Sequence, residues 1–374
     1  MMKRYVLDAR TANNHFPGIG RYVSQLAQAM SKQLLSDEQL ILFHDPTQPS
    51  QWQLPMPSDK VRWVETAVSP FSLWQQWQIP RFLRQCQADI YHSPYYLMPY
   101  WLNLPIIVTI HDLTPQLFSQ YVPMPVRFLF RLTTHLALRQ SAHVIAVSES
   151  TKRDLERYYL FPSQQATAVY HAPGPCFQPQ TTKEIARLRQ QYNLPENYVL
   201  YLGINKPHKN LVQLLNAWQM LKEKTADSCL VIAGAWDERY PEAKLQAERL
   251  QLGQLVRFLG PIANADLPAL YAGATLFVFP SRYEGFGLPV VEAMACGTAV
   301  VCAHTSSLPE VGGEAVLYFE PDDVEAMAKQ ISRLLKDEPL RQQLEQAGLI
   351  QARQFSWSET ALATLNVYRH VSRY

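Results

Sequence analysis

Short apolar runs alternate with amphipathic stretches along the whole chain. The apolar runs predict buried β-strands, and the stretches between them, in which apolar residues recur with a helical period, predict α-helices. This alternation is typical of β/α units built on parallel sheets. The predicted strands include residues 5–7, 40–43, 106–110 and 144–147 in the first half and residues 198–203, 230–233, 256–258, 276–279 and 299–302 in the second.

A segment rich in helix-breaking residues, 171–177 (HAPGPCF), separates the two halves. A chain of 374 residues is long for one domain and suits two. We therefore predict an α/β protein with two Rossmann-like domains, the first over residues 1–174 and the second over residues 175–355. Residues 356–374 are predicted to form a separate helix, because they open with the capping-box sequence SWSE and continue with apolar residues at helical spacing.

The strongest candidate site is the segment 281–292 (SRYEGFGLPVVE), which follows the predicted strand 276–279. Pro289 suits the first turn of a helix, because its missing N–H would have no partner there. Glu284 would then lie in the loop at the strand end and Glu292 one turn into the helix. The amides expected to point out of the helix N-terminus and favour an anion are those of Phe286, Gly287 and Leu288. The layout suits a diphosphate with hydroxyl-rich groups at both ends, as in a nucleotide sugar.

Two further candidates follow strands of the first half. Gly18 and Gly20 open a predicted helix, where glycine lets the backbone approach a phosphate. The pair lacks the third glycine of a dinucleotide-binding fingerprint, which argues against a Rossmann dehydrogenase. His111 follows the strand 106–110, at the edge where α/β sheets place ligands. Taken alone, a Gly-x-Gly is typical of a simple turn and a His-Asp pair of a structural role.

The second half offers positive charge at another strand end. Gly203 ends the strand 198–203, and Lys206 and Lys209 follow in the loop. Two lysines there can reach phosphate oxygens as compact charges, although lysines in loops are usually only solvated. Leu259 lies at the end of the strand 256–258.

Composition restricts the class of protein. The net charge of +2 gives no signal for nucleic acid. The five cysteines form no CxxC pair, so we expect reduced, mostly buried thiols in a cytosolic protein. The sequence has no D-x-D and no His/Cys cluster with metal spacing, and we expect no metal and no cofactor. We also expect no signal peptide and no membrane span, because no apolar run is long enough.

In their order along the chain, these motifs resemble those of the family 4 (group 1) retaining glycosyltransferases. The resemblance covers nearly the whole chain. It rests on PGIGRY at 17–22, the His-Asp pair at 111–112, the G-x5-K element at 203–209 and the E-x7-E element at 284–292. It implies the GT-B fold, in which two Rossmann-like domains face a central cleft and a C-terminal helix crosses back to the N-terminal domain. It further implies that residues 1–174 bind the acceptor and residues 175–355 bind the nucleotide-sugar donor.

The resemblance also implies roles for the candidate residues. The donor sugar would be contacted by Glu284 and His111, the ribose by Glu292, and the diphosphate by Lys209. The other donor-binding positions implied are Gly18, Gly20, Gly203, Lys206, Leu259, Gly285, Phe286, Gly287 and Leu288. Among all of these, His111, Glu284 and Lys209 are expected to act in catalysis.

The implied reaction is retaining transfer of a hexose from a nucleoside diphosphate to a hydroxyl of a glycan or lipid-linked acceptor, as in polysaccharide biosynthesis. It would need no metal, because lysines and helix N-termini supply the charge. Many family members carry an Arg where this chain has Ile204 or His208, and Lys206 is the expected substitute. The string KPHKN at 206–210 looks most like mannosyltransferases, which favours GDP-mannose over a UDP-sugar. The alternatives are a UDP-sugar-dependent enzyme of the same fold, a GT-B nucleotide-sugar epimerase and a non-catalytic binding module.

The first half also contains a candidate membrane-facing surface. Asp112 is the only acidic residue between Asp89 and Glu149. Basic residues recur there at four-residue steps, so a helix would align them in one stripe; they are Arg127, Arg131, His135 and Arg139. Tryptophans occur at 74, 77 and 101. Two interpretations stay open: a peripheral contact with anionic lipid on the inner face of the membrane, or a core helix with a basic outer face.

Overall fold

The computed structural model describes residues 2–13, 15, 17–49, 51–222 and 228–372. The chain divides into two compact units. Unit 1 comprises Met1–His171 together with Ser356–Tyr374, and unit 2 comprises Ala172–Phe355. The division between them falls inside the breaker-rich segment. Each predicted strand is present, and both units are α/β with parallel sheets, as expected.

Within the described residues, unit 1 has a seven-stranded parallel sheet of order β3-β2-β1-β4-β5-β6-β7. Its strands are β1 (Lys3–Asp8), β2 (Glu38–His44), β3 (Val61–Glu65), β4 (Ile90–Ser93), β5 (Ile106–Ile110), β6 (His143–Ala146) and β7 (Ala166–Ala168). Its first helices are α1 (Pro17–Ser31), α2 (Gln75–Gln85), α3 (Thr114–Leu117), α4 (Met124–Gln140) and α5 (Glu149–Tyr159). Strands β4, β5 and β6 are buried along their whole length, which explains their position in the middle of the sheet.

Unit 2 has a six-stranded parallel sheet of order β10-β9-β8-β11-β12-β13 in the described part of the chain. Its strands are β8 (Tyr198–Leu202), β9 (Cys229–Ala233), β10 (Val256–Gly260), β11 (Leu276–Phe279), β12 (Val300–Ala303) and β13 (Leu317–Phe319). Its helices are α6 (Thr182–Gln191), α7 (Leu211–Met220), α8 (Glu242–Arg249), α9 (Leu267–Ala272), α10 (Leu288–Ala295), α11 (Leu308–Gly312), α12 (Val324–Lys336) and α13 (Glu338–Ala352).

The last helix, α14 (Trp357–Val371), returns to unit 1 and packs against α1. Ser356 caps it by accepting the N–H of Glu359 at 3.1 Å, as the capping-box sequence predicted. Its apolar side is buried in the core of unit 1, and Tyr368 is fully enclosed. Arg369 forms an ion pair of 2.8 Å with the buried Glu38 of β2. The helix is therefore an integral part of unit 1.

No helix among the described residues has the length and apolar content needed to cross a bilayer.

Candidate functional site

In unit 2, the loop between β11 and α10 carries Glu284 and is held by two serines from the loop after β12. The N–H of Glu284 donates to Ser306 Oγ at 2.9 Å. The hydroxyl of Ser307 donates to the carbonyls of Glu284 and Phe286, at 2.9 and 2.7 Å. These bonds involve only backbone groups of the loop. They position the Glu284 carboxylate without using its oxygens as acceptors. The sequence pattern gave no signal for the two serines.

The Glu284 side chain pairs with Lys209. Lys209 Nζ lies 2.6 Å from Glu284 Oε1, and the two side chains are 16% and 13% exposed. The short turn Pro207–Lys209 follows β8 and is linked to the Glu284 loop by a bond from the N–H of Arg282 to the carbonyl of His208, at 2.8 Å. The structure thus brings together a carboxylate and an ammonium group at the carboxyl edge of the sheet, as the two motifs predicted separately.

Helix α10 begins immediately after this loop. Gly287 has φ +104°, a left-handed conformation that favours glycine, and a Cβ there would lie 2.8 Å from Leu308 Cδ2. Gly285 and Phe286 are buried, and Leu288 is the first helical residue. Because the first-turn amides of a helix have no partner within the helix, this end of α10 favours negative charge.

Glu292, in the second turn of α10, has a different environment from Glu284. It is only 2% exposed, and its Oε2 accepts the hydroxyl of Tyr271 at 3.1 Å. Glu284 is half-buried and ion-paired, whereas Glu292 lies in the core side of the helix. Its assignment to a ribose stays a prediction.

Three glycines follow one another across the ends of adjacent strands. They are Gly203 after β8, Gly234 after β9 and Gly260 in β10. The N–H of Gly203 donates to Ala233 and that of Gly234 to Gly260, at 2.9 and 2.8 Å. A Cβ on Gly234 would collide with the carbonyl of Gly203. The close approach of the backbones at Gly203 and Gly234 leaves no room for a side chain at Gly234, which was not singled out from the sequence.

The remaining predicted positions of unit 2 lie close by in the chain. Leu259 is half-buried in β10, next to Gly260. Lys206 is exposed. His208, between the two lysines, is buried, and burial together with the charges of Lys209 and Lys206 lowers its pKa to about 3. It is therefore neutral at pH 7 and does not replace an arginine.

In unit 1, His111 follows β5 directly. Its Nε2 lies 3.1 Å from the carbonyl of Pro94, and since a carbonyl only accepts, this nitrogen carries the proton. Burial lowers the pKa of His111 to about 4. The ring is therefore a neutral imidazole at pH 7, whose Nδ1 is an acceptor.

Aromatic side chains from distant parts of unit 1 surround His111. The ring of Tyr22 lies edge-on at 4.9 Å between centroids, and that of His171 at 5.4 Å. His171 is itself stacked between Tyr22, at 4.8 Å, and Trp357 of α14, at 6.0 Å. His171 and Trp357 were not singled out from the sequence.

A buried hydrogen-bond chain connects this cluster to α14. The hydroxyl of Tyr22 lies 3.0 Å from Thr109 Oγ1, which is 2.7 Å from His92 Nε2. His92 Nδ1 is in turn 2.6 Å from the hydroxyl of Tyr368. Burial lowers the pKa of His92 to about 3, so these bonds join neutral groups. The C-terminal helix thus helps to fix the side chains that pack on His111.

Gly18 and Gly20 lie in the first turn of α1, which begins at Pro17. No atom lies within 4 Å of the place that a Cβ on Gly18 would occupy, so this position is open. At Gly20 a Cβ would collide with the indole of Trp52. A larger residue at the second position would therefore displace Trp52.

The described ranges contain no group of three His, Cys, Asp or Glu side chains placed to hold a metal ion.

Family models match both units: "Glycosyltransferase Family 4" over residues 17–172 and "Glycosyl transferases group 1" over residues 183–350. O-antigen chain mannosyltransferase B of Escherichia coli is 34% identical over 290 residues, which cover 77% of this chain and 76% of that protein. Sucrose-phosphate synthase from Thermosynechococcus elongatus has a similar structure, with a TM-score of 0.78 at 23% identity over 99% of both chains. The structure of Anabaena HepE in complex with UDP and glucose has a TM-score of 0.75 at 21% identity, covering 99% of this chain and 100% of that one. The chain therefore belongs to the family 4 (group 1) glycosyltransferases and is a glycosyltransferase with the GT-B fold.

Proposed function

We propose that this glycosyltransferase moves a hexose from a nucleoside diphosphate to a hydroxyl of a glycan or lipid-linked acceptor, with retention at the anomeric carbon. The ion pair between Lys209 and Glu284, beside the N-terminus of α10, carries the proposal. The ammonium group and the helix amides suit a diphosphate, and the carboxylate accepts hydrogen bonds from sugar hydroxyls.

Retention fits a same-face transfer. The bond between the anomeric carbon and the diphosphate oxygen breaks, and the acceptor oxygen forms a bond to the same face of that carbon. The acceptor proton passes to an oxygen of the leaving diphosphate. Negative charge grows on the diphosphate as its bond breaks, so Lys209 and the first turn of α10 stabilise the transition state more than the ground state. His111, held neutral by burial, is assigned to the donor sugar as a hydrogen-bonding group.

We propose GDP-mannose as the donor. The support is the KPHKN string and the 34% identical relative, which is named a mannosyltransferase. The HepE structure contains UDP and glucose, but at 21% identity it supports the fold and not the donor base. A UDP-sugar is the second candidate.

Release of nucleoside diphosphate tests the proposal. Incubation with GDP-mannose and a mannosylated acceptor mixture is expected to release GDP, and GDP is expected to raise the melting temperature more than UDP does. A larger effect of UDP would move the donor assignment to a UDP-sugar. Epimerised sugar without free diphosphate would identify an epimerase. The absence of both diphosphate release and a melting shift with any nucleotide would refute the proposal.

Activity is expected to be unchanged in excess chelator. In the proposed site the charge that balances the diphosphate comes from Lys209 and helix amides, so no divalent cation is required. The measurement compares initial rates after dialysis against EDTA with rates in added Mg²⁺ or Mn²⁺. Activity that is lost to EDTA and restored by either ion would contradict it.

We further propose that unit 1 binds the anionic inner face of the membrane. The outer side of α4 combines basic residues with exposed apolar ones. They are Arg127, which is half-buried, and the exposed Arg131, His135, Arg139, Met124, Phe128, Leu129 and Leu132. Exposed Trp74 and Trp77 lie at the start of α2. Both helices pack on the segment 96–100. Gln76 of α2 forms hydrogen bonds with the backbone of Met98 and Tyr100, and Phe130 of α4 packs against Tyr96. Basic and aromatic groups exposed on two helices that pack on the same segment suit anionic lipid headgroups.

Vesicle flotation tests this surface. The protein is expected to float with anionic vesicles at low salt, less at high salt, and not with neutral vesicles, because each basic residue contributes on the order of 1 kcal/mol and salt screens it. Replacing Arg127, Arg131 and Arg139 by Gln should reduce flotation. The matched control changes the same number of charges on α5, with Lys152, Arg153 and Arg157 replaced by Gln. Equal flotation of the two triple variants would show that α4 has only a solvated basic face.

A further inference from the structure

Unit 1 contains a cavity of about 580 Å³ that none of the predicted site residues lines. It lies at the carboxyl ends of β1 and β2, the edge at which open α/β sheets bind ligands. Its volume is within the range of small-molecule sites. The question is which chemistry its walls recognise.

The outer wall is a loop that is tied to α1 and β3. The carbonyl of Gln53 accepts from the side chain of Gln28 at 2.7 Å and from the hydroxyl of Ser24. The indole N–H of Trp63 donates to the carbonyl of Pro55 at 2.9 Å. Trp52, from the same loop, contacts Gly20 at the start of α1. The cavity is therefore preformed and adjoins the glycine turn of α1.

The walls pair aromatic surface with uncharged polar groups. Trp52 and Trp63 provide broad apolar surface, and Asn13, His44, Gln48 and Gln53 provide amide and imidazole groups. The imidazole of His44 packs edge-on against Trp63, with 4.9 Å between the ring centroids.

The charges in the cavity disfavour an anionic ligand. Among the described residues that line it, Arg10 is the only Lys or Arg, and this side chain is neutralised by Asp8 through two bonds, at 2.8 and 2.5 Å. Asp45 contributes a carboxylate, whose Oδ1 is fixed by the N–H and hydroxyl of Thr47 at 2.9 and 2.6 Å. A phosphate or carboxylate ligand would face Asp45 with no unpaired guanidinium or ammonium among the lining residues.

We infer that this cavity binds a neutral sugar ring of the acceptor, packed against Trp52 and hydrogen-bonded to Asp45 and the amides. The C–H face of a hexose supplies apolar contact, and its hydroxyls supply donors for the carboxylate and partners for the polar groups. The inference rests on the proposed function, because it takes the occupant of the cavity to be the acceptor of the sugar transfer. It assigns the acceptor to neutral glycans rather than to phosphorylated polyols.

Saturation-transfer NMR on the full chain tests the inference with methyl α-mannopyranoside and an α-linked mannobiose as probes, and inositol 1-phosphate as the anionic comparison. The two neutral sugars are expected to bind, whereas inositol 1-phosphate is expected not to bind. The Trp52→Ala variant should weaken mannobiose binding about tenfold, as expected for loss of an aromatic wall. Trp101→Ala is the matched control, because this exposed tryptophan does not line the cavity.

A GDP melting shift on the same samples reports the donor site separately. If GDP binds and mannobiose binds Trp52→Ala as well as it binds the control, the cavity assignment is wrong while the proposed function stands. Preferential binding of inositol 1-phosphate also overturns it. If no nucleotide binds, the proposed function fails. If Trp52→Ala does not fold, Asp45→Asn takes its place in the experiment. Asn keeps an oxygen that can accept from Thr47 but lacks the negative charge. Unchanged mannobiose affinity in this variant would also refute the assignment.

Discussion

The Glu284→Ala enzyme is expected to retain its fold and to lose nearly all sugar transfer, with a fall in kcat/KM of about a thousandfold. The loop that carries Glu284 is held through its backbone by Ser306 and Ser307, so truncation of the side chain leaves these bonds in place. What is lost is the carboxylate at the proposed donor sugar. The measurements are kcat/KM from diphosphate release and the melting temperature of the same sample.

Glu284→Gln and Glu242→Ala complete the experiment. The Gln variant keeps the shape of the side chain and is expected to be nearly as inactive, because it lacks the charge. Glu242 is exposed on α8, in the same unit, and its replacement should change neither rate nor stability. A Glu284→Ala enzyme with normal melting and near-normal turnover would remove this residue from the site.

Lys209→Ala is expected to slow transfer by about a hundredfold and to weaken nucleoside diphosphate binding. The variant lacks the ammonium group that balances the leaving diphosphate, and it leaves the Glu284 carboxylate without its partner at 2.6 Å. The loss of positive charge and the unpaired carboxylate both disfavour binding of the negatively charged diphosphate. Isothermal titration with GDP or UDP gives the affinity, and single-turnover kinetics gives the rate of the chemical step.

Glu284→Ala and Lys209→Ala are expected to change nucleotide affinity in different ways, which distinguishes the roles of the two residues. Glu284→Ala frees Lys209 for the phosphates, so nucleotide affinity should stay the same or rise, whereas Lys209→Ala should lower it. Because the residues are in contact, the effects of the two substitutions on affinity should not add in the double variant. Lys183→Ala, at an exposed position of α6, is the charge-matched control. If Lys209→Ala leaves affinity and rate unchanged, Lys209 is only a surface lysine.

Parts of the fold that are governed by local pattern were predictable, and parts that depend on distant partners were not. Strand β4 was not predicted, because His92 and Ser93 interrupt its apolar run. His92 is nevertheless fully buried, since Thr109 and Tyr368 satisfy both of its ring nitrogens. The other strands missing from the prediction lie at the sheet edges and are short or partly exposed; they are β3, β7 and β13.

In the candidate site, too, the locally determined features were predictable and the contacts between distant residues were not. Strand, loop and helix around Glu284 could be predicted because glycine and proline mark their boundaries locally. The pairing of Glu284 with Lys209, and the packing of His171 and Trp357 around His111, join residues far apart in the chain. Nothing in the local pattern near any one of these residues indicates its partner, because the contact exists only once the sheet is formed.

The return of α14 to unit 1 determines the order in which the protein is completed during synthesis. Unit 2 is continuous in sequence and has all its residues once Phe355 has left the ribosome. Unit 1 starts first but is completed after unit 2, since Tyr368 reaches His92 only once α14 has followed unit 2 out of the ribosome. Until then the nascent chain exposes the apolar surface that α14 covers, a period in which chaperones or unwanted association compete with folding. The emergence of α14 from the ribosome is therefore the event that completes the surroundings of His111.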